Sequence, residues 1–169
     1  MSSKILFILH LPPPIHGAAM MGKYIQESEL VNCSFDCFCI NLATAGSLSD
    51  IGHISLKKLL KYFFLLKHIS HVVREIRPEL VYITPNAGGK AFFKDFIVVQ
   101  MLKSMGCKVI AHYHNKGVSV YQSKWVYNFF YKRFFSNLKV ILLAENLYKD
   151  IAKYVKREDV YICLLYTSP

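Results

Sequence analysis

No apolar run in this chain of 169 residues continues, without interruption by Lys, His or Asp, for the roughly 20 positions that a membrane-spanning helix needs. A transmembrane segment is therefore not expected. Lys4 and the apolar stretch from Ile5 to Leu11 imitate a secretory leader, but His10 breaks the stretch. Pro12, Pro13 and Pro14 follow without a cleavage site, which favours a cytoplasmic location. Paired cysteines are also missing. The five present, Cys33, Cys37, Cys39, Cys107 and Cys163, contain no CxxC spacing and suit a reduced compartment better than a disulfide framework. Cys33, Cys37 and Cys39 invite a zinc reading. Cys37 and Cys39 fall in an apparent strand, however, and no close His completes a tetrahedral set, so they are expected to be small buried residues and no metal is expected. Neither GxGxxG nor GxxxxGK[ST] occurs, which removes support from nicotinamide-dehydrogenase and P-loop kinase readings. No internal repeat or low-complexity tract competes with a globular reading. Acidic residues are scarce, 11 against 21 Lys and Arg, giving a formal net charge of +10.

What is present is a chain able to pack. With 53% hydrophobic and 19% charged residues it is not a disordered tail, and a chain this long buries roughly 70% of its unfolded surface, enough for one core. Lys4 to Leu11 reads as a strand buried on both faces, and Gly17 to Gln26 as a helix. Phe35 to Leu42 is a second strand and Ala43 to Ile54 a loop, with Ser55 as a cap. From Leu56 to Ile76 the apolar positions Leu56, Leu59, Leu60, Phe63, Leu66, Ile69, Val73 and Ile76 recur at helical steps and predict one core-facing stripe. Leu80 to Thr84, Lys108 to His112, Lys139 to Ala144 and Asp159 to Ile162 continue the strands. Lys90 to Met105, Lys124 to Phe135 and Leu147 to Val155 continue the helices. Strands alternating with helices predict a single α/β domain, a Rossmann-like parallel sheet with helices on both faces. Ligands in such sheets sit outside the carboxyl ends of the strands, so the chemistry is expected after Leu11, Thr84, His112 and Ala144.

Two segments at those ends carry candidate residues. In Leu11–Ala19 the prolines stiffen the exit from the strand. Gly17 admits a close backbone approach, and Ala18 and Ala19 leave a helix N-terminus open to a phosphate or sugar hydroxyls. The alternative is a rigid turn without a ligand. In His112-Tyr113-His114-Asn115-Lys116-Gly117, alternation puts His112 and His114 on one side of the strand, where an imidazole can move a proton or orient a hydroxyl. The alternative here is a satisfied structural pair.

The segments LPPPIHGAA, RPELVYITPNAGGKAFFKD and AHYHNKG, in that order, resemble the N-terminal half of GT-B glycosyltransferases, specifically glycosyltransferase family 4, over nearly all of Lys4 to Ile162. The resemblance implies an acceptor-side domain spanning residues 1–162. Its parent would transfer a sugar from a nucleotide-sugar to a cell-surface polysaccharide or glycolipid acceptor, with retention and with no cofactor or essential metal. It implies that Gly17, with His16 and Ala18, lies against donor phosphates and acceptor. His114, or in second place His112, would face the transferred sugar, with Asn115 beside it, and Thr84, Asn86, Gly88 and Glu145 would line the acceptor side. Gly17 and His114 are expected in one cleft. The family's donor-binding half, with its paired glutamates, has no counterpart in this sequence, and Cys163 to Pro169 looks like translated adapter read-through. The reading is thus of a truncated fragment with a non-native tail. A non-catalytic module that binds a sugar or lipid head group is the alternative.

The positive charge admits further partners. Lys57, Lys58, Lys61 and Lys67 lie on one predicted helix; Lys124, Lys132 and Arg133 accompany Trp125, Tyr127, Phe129, Phe130, Tyr131, Phe134 and Phe135 on another. Basic and aromatic residues interleaved in this way suit peripheral binding to an anionic membrane surface, each cation contributing about 1 kcal/mol. The alternative is that the aromatics are core and the lysines a solvated face. No helix-turn-helix, zinc-finger or RNA-binding signature occurs, so nucleic acid is not an expected partner.

Overall fold

Lys4–Leu9 forms strand β1, and every residue after Lys4 is buried, as a strand covered on both faces requires. The computed structural model describes residues 2–13, 15, 17–42 and 56–163, leaving aside the side chains of Lys57 and Lys58. After β1 come helices α1 (Gly17–Glu27) and α2 (Glu29–Ser34), strand β2 (Asp36–Asn41), helix α3 (Leu56–Ile76) and strand β3 (Leu80–Ile83). Helix α4 (Gly89–Ser104), strand β4 (Val109–Tyr113), and helices α5 (Val118–Tyr121) and α6 (Trp125–Phe135) follow. The chain ends its described course with β5 (Lys139–Leu142), a 3-10 turn at Glu145–Leu147, α7 (Tyr148–Ile151), a second such turn at Arg157–Asp159, and β6 (Val160–Ile162). The strands make a six-stranded, all-parallel sheet in the order β2-β1-β3-β4-β5-β6. The fold is the α/β, Rossmann-like one expected from the sequence. The predicted loop at 43–54, the Ser55 cap, Pro14, His16 and residues 164–169 lie outside the described residues.

The contacts divide the chain into two compact units, Met1–Ile83 with Met105–Cys107, and Thr84–Ser104 with Lys108–Pro169. In the first, β1 runs parallel to β2 from Lys4↔Asp36 to Leu9↔Asn41, and to β3 from Ile5↔Leu80 to Ile8↔Ile83. Leu6, Ile8, Leu9, Ile69, Val81 and Ile83 are fully buried around this ladder. Helix α1 comes so close to the end of β1 that a Cβ at Gly22 would run into the His10 carbonyl and the Leu9 side chain. Close approach therefore belongs to Gly22; a Cβ at Gly17 would meet open space. Ser28 caps the short α2, its hydroxyl accepting from the Val31 N–H at 3.4 Å.

Helix α3 has the predicted bounds but not the predicted face. Tyr62, Ile69 and Val73 are buried, whereas Leu56, Leu59, Leu60 and Phe63, expected in the core, are all more than half exposed. The helix is apolar on more than one side, and packing selects the side that 3.6-residue periodicity alone leaves undecided. The cysteines differ from expectation as well. Cys33 and Cys39 are exposed and Cys37 is half-buried, its thiol directed to the Phe35 and Val31 carbonyl oxygens at 3.5 and 3.7 Å.

In the second unit, β4 pairs with β5 from Ile110↔Lys139 to Tyr113↔Leu142, and β5 with β6 from Val140↔Val160 to Leu142↔Ile162. The Cys163 N–H donates to the Leu142 carbonyl at 2.8 Å, so the ladder reaches the first residue of the expected tail. Helices α4 and α6 meet through aromatic rings. Phe92 lies 4.7 Å from Tyr131 and 5.5 Å from Phe134, centroid to centroid, and Phe93 and Phe96 meet Phe130 edge-on. The aromatic helix is thus divided, with Tyr131, Phe134 and Phe135 in the core and Trp125 and Phe129 exposed. Lys103 reaches from α4 to the carboxyl end of α6, its ammonium donating to the Arg133, Phe134 and Ser136 carbonyls at 3.1, 2.6 and 2.6 Å. A lysine there meets carbonyls that have no partner within their own helix and the negative end of the dipole. Where one helix was expected over Leu147 to Val155, the chain makes a 3-10 turn and the single turn of α7.

Candidate functional site

At the carboxyl end of β4 the alternating strand places His112 and His114 on one side and Tyr113 on the other. The two imidazoles lie with ring centroids 4.2 Å apart at an interplanar angle of 38°. His112 is 4% exposed, and burial together with the neighbouring imidazole lowers its pKa to about 3. Burial lowers that of His114 as well. Both rings are therefore neutral near pH 7, each with one N–H to donate and one lone pair to accept. Both ring nitrogens of His114 are buried and have no hydrogen-bond partner among the described residues, and the same holds for the hydroxyl of Thr84, a residue 2% exposed just beyond β3. A buried polar atom left unpaired costs about 1–3 kcal/mol, so these atoms are prepared for partners.

The loops around them are tightly fixed. Asn86 donates both its backbone N–H and its side-chain amide to one carboxylate oxygen of Asp95, each at 2.8 Å. Asp95 is fully enclosed in α4; burial pushes its pKa up to about 6 against the opposing pull of those hydrogen bonds and of Lys94. The next residue is held on both its peptide groups. The Ala87 N–H donates to the Asn115 side-chain oxygen at 3.2 Å, and the Tyr131 hydroxyl donates to the Ala87 carbonyl at 2.5 Å. A Cβ at Gly88 would enter the ring of Tyr121, so a side chain there would have to displace that ring. Beyond β4, Asp150 of α7 caps α5. Its carboxylate accepts from the Gly117, Val118 and Ser119 N–H groups at 2.9, 2.9 and 3.0 Å and from the Ser119 hydroxyl. Burial alone would raise the Asp150 pKa, but these donors outweigh it and hold the carboxyl below its ordinary value.

No family model, curated protein or solved structure matches the chain. The placement of the anticipated residues accordingly rests on geometry alone. Thr84, Asn86, Gly88, His112, His114, Asn115 and Glu145 all belong to the second unit. Of these, Thr84 and His114 carry the orphaned atoms, whereas Asn86, Gly88 and Asn115 fix the loops. Glu145 is held by Arg157 in a two-pronged ion pair, Nε to Oε1 at 3.0 Å and Nη2 to Oε2 at 2.7 Å. Gly17 and Ala18 belong to the first unit and begin α1, Gly17 exposed and Ala18 half-buried. Sequence reasoning missed Asp95, Asp150, Tyr121 and Tyr131. The available signal for Asp95 was a lone acid set in the apolar run from Ala91 to Val99. Among the described residues no cluster of three or more His, Cys, Asp or Glu could hold a metal ion.

Proposed function

We propose that this chain is the acceptor-side domain of a glycosyltransferase of the family 4 type, whose parent transfers a sugar from a nucleotide-sugar to a polysaccharide or glycolipid acceptor. The observation that carries the reading is His114, a neutral imidazole at a strand's carboxyl end with two buried nitrogens unpaired among the described residues. Such a ring can accept from one sugar hydroxyl and donate to another, and Thr84 offers a hydroxyl that does both. Burial keeps the His114 ring neutral and so preserves its lone pair, and the neutral His112 ring lies tilted beside it. Gly17, with open space where a side chain would lie, begins α1 and stays in the proposal as the residue offered to the phosphates of a donor, which a helix N-terminus favours through its dipole. Glu145 stays in the proposal as a flanking contact.

The test is a titration of nitrogen-15-labelled protein with a panel of nucleotide-sugars and lipid-linked glycans, read at the imidazole resonances. Binding that moves the His114 ring signals in the wild type and is weakened at least tenfold by His114→Ala is the expected result. No imidazole response to any member of the panel would overturn the site. Reading the parent DNA past codon 162 tests the reaction class: a second Rossmann-like half with paired glutamates is expected, and an intact gene lacking one would favour a non-catalytic binding module.

A further inference from the structure

Helix α3 carries two apolar stripes that point away from each other. Tyr62, Ile69 and Val73 make the buried one. Leu56, Leu59, Leu60, Phe63 and Phe64 make the other, at i, i+3, i+4, i+7 and i+8, and stay 74, 59, 52, 51 and 64% exposed. Single exposed apolar residues are ordinary; five large ones contiguous on one helix face mark a surface that is covered in use. The charge around the stripe is of one sign. Lys61 and Lys67 are exposed, the Lys67 ammonium sits 4.8 Å over the Phe63 ring, and no acidic residue occurs in the helix before Glu75. A second copy of a chain with net charge +10 would bring like charges together on this face, whereas an anionic surface would neutralise them.

We propose that the amino-terminal half of α3 is a membrane-docking helix that lies in the interface of an anionic bilayer, its leucines and phenylalanines below the headgroups and its lysines against the phosphates. No described helix is long and apolar enough to cross a membrane, so α3 would lie along the surface. A helix with an apolar stripe bordered by lysines binds by area and charge together, and each lysine contributes roughly fivefold in partition at an anionic leaflet. The inference does not depend on sugar transfer, and lipid binding can fail while the proposed sugar site stands.

The experiment is flotation of the full chain with vesicles of equimolar phosphatidylglycerol and phosphatidylcholine, against pure phosphatidylcholine, at low and high salt. Binding to the anionic vesicles, weaker at high salt and at least tenfold weaker on the neutral ones, is expected. Leu60→Ser with Phe64→Ser should lower partition by roughly tenfold or more. Lys61→Glu with Lys67→Glu should lower it by at least roughly 25-fold and reduce its salt dependence. All four side chains are solvent-exposed, so thermal melting should stay unchanged, and the lysine pair keeps the test decisive if the apolar pair impairs folding. No binding of the wild type to anionic vesicles, or equal binding by both double variants, would overturn the proposal. So would sedimentation showing a dimer that Leu60→Ser with Phe64→Ser dissolves in a protein that ignores vesicles, since the stripe would then be an interface between copies.

Discussion

Replacing Asp95 by asparagine tests whether a buried charge is being held against its cost. The carboxylate is 2% exposed, and its one oxygen accepts both Asn86 donors, a role the oxygen of a carboxamide in the same place can take over unchanged. Burial raises the Asp95 pKa from 3.8 to about 6. A carboxyl raised in the folded state binds its proton more tightly there than in the unfolded chain. Its contribution is therefore fully present below the unfolded pKa and is lost as pH rises through the folded one. At about 1.36 kcal/mol for each pKa unit, the loss between pH 4 and pH 7.5 comes to roughly 3 kcal/mol. The carboxamide never ionises, so Asp95→Asn should match the wild type near pH 4 and exceed it by up to roughly 3 kcal/mol at pH 7.5, about 6–12 °C in Tm for a chain of this size. The assay is urea denaturation of both proteins at pH 4, 5, 6 and 7.5, read as a difference at each pH so that other titrating groups cancel. A difference that stays flat across this range, or a variant less stable at pH 7.5, would show that the Asn86 clasp needs the charge and refute the reasoning.

Gly22→Ala should destabilise by about 2–4 kcal/mol, because the new methyl group meets a backbone carbonyl that cannot turn aside, whereas Gly17→Ala should fall within about 1 kcal/mol of wild type; thermal melting separates the two. Asp150→Ala strips the cap from α5 and leaves three backbone N–H groups unpaired, a loss of about 2–4 kcal/mol at pH 7. Since the Asp150 pKa is depressed, that deficit should be complete above the ordinary carboxylate pKa and shrink as pH falls through the folded value, which denaturation at successive pH values will show. Lys103→Met keeps the aliphatic stem but removes the ammonium from the Phe134 and Ser136 carbonyls, while the Arg133 carbonyl keeps Gln100 and Ser136 as donors; a loss of about 1–2 kcal/mol in chemical denaturation is expected, with hydrogen exchange in α6 accelerated more than in β4.

The inner strands β1, β3 and β4 were legible because a strand buried on both faces is apolar along nearly its whole length, and Pro12, Pro85 and Gly106 punctuate the runs. Their order then fixed the carboxyl edge, and with it the neighbourhoods of Thr84 and His112. The facing of α3 was not legible: positions 56, 59, 60 and 63 and positions 62, 66, 69 and 73 both satisfy helical spacing, and only the packed sheet chooses between them. Nor was the division of labour at the strand ends. Asn86, Gly88 and Asn115 are polar or small residues in the right place for a ligand, and sequence cannot distinguish a side chain that meets a ligand from one that fixes the loop. The partners that decide it, Asp95 at nine residues from Asn86 and Asn115 at 28 from Ala87, come from other elements.

That division of labour itself bears on the proposed site. The Asn86 and Ala87 peptides, the Gly88 position and the N-terminus of α5 are each held by a specific partner, so the loops after β3 and β4 have little freedom. Against this saturation, the Thr84 hydroxyl and both His114 nitrogens are buried without partners among the described residues. A loosely built edge would let such atoms turn to water or to a neighbouring carbonyl and recover about 1–3 kcal/mol each. A rigid one keeps them aimed, which is the condition under which a ligand's hydroxyls gain hydrogen bonds without first ordering the protein. Relaxing the frame should then cost the site more than it costs the fold: Asn115→Ala removes one 3.2 Å bond to the Ala87 N–H and touches no orphaned atom. If the reading is right, it should weaken glycan-induced shifts at His114 severalfold while changing overall stability by no more than about 1–2 kcal/mol. A variant that loses stability but binds as the wild type does would mean that the loops serve the fold alone.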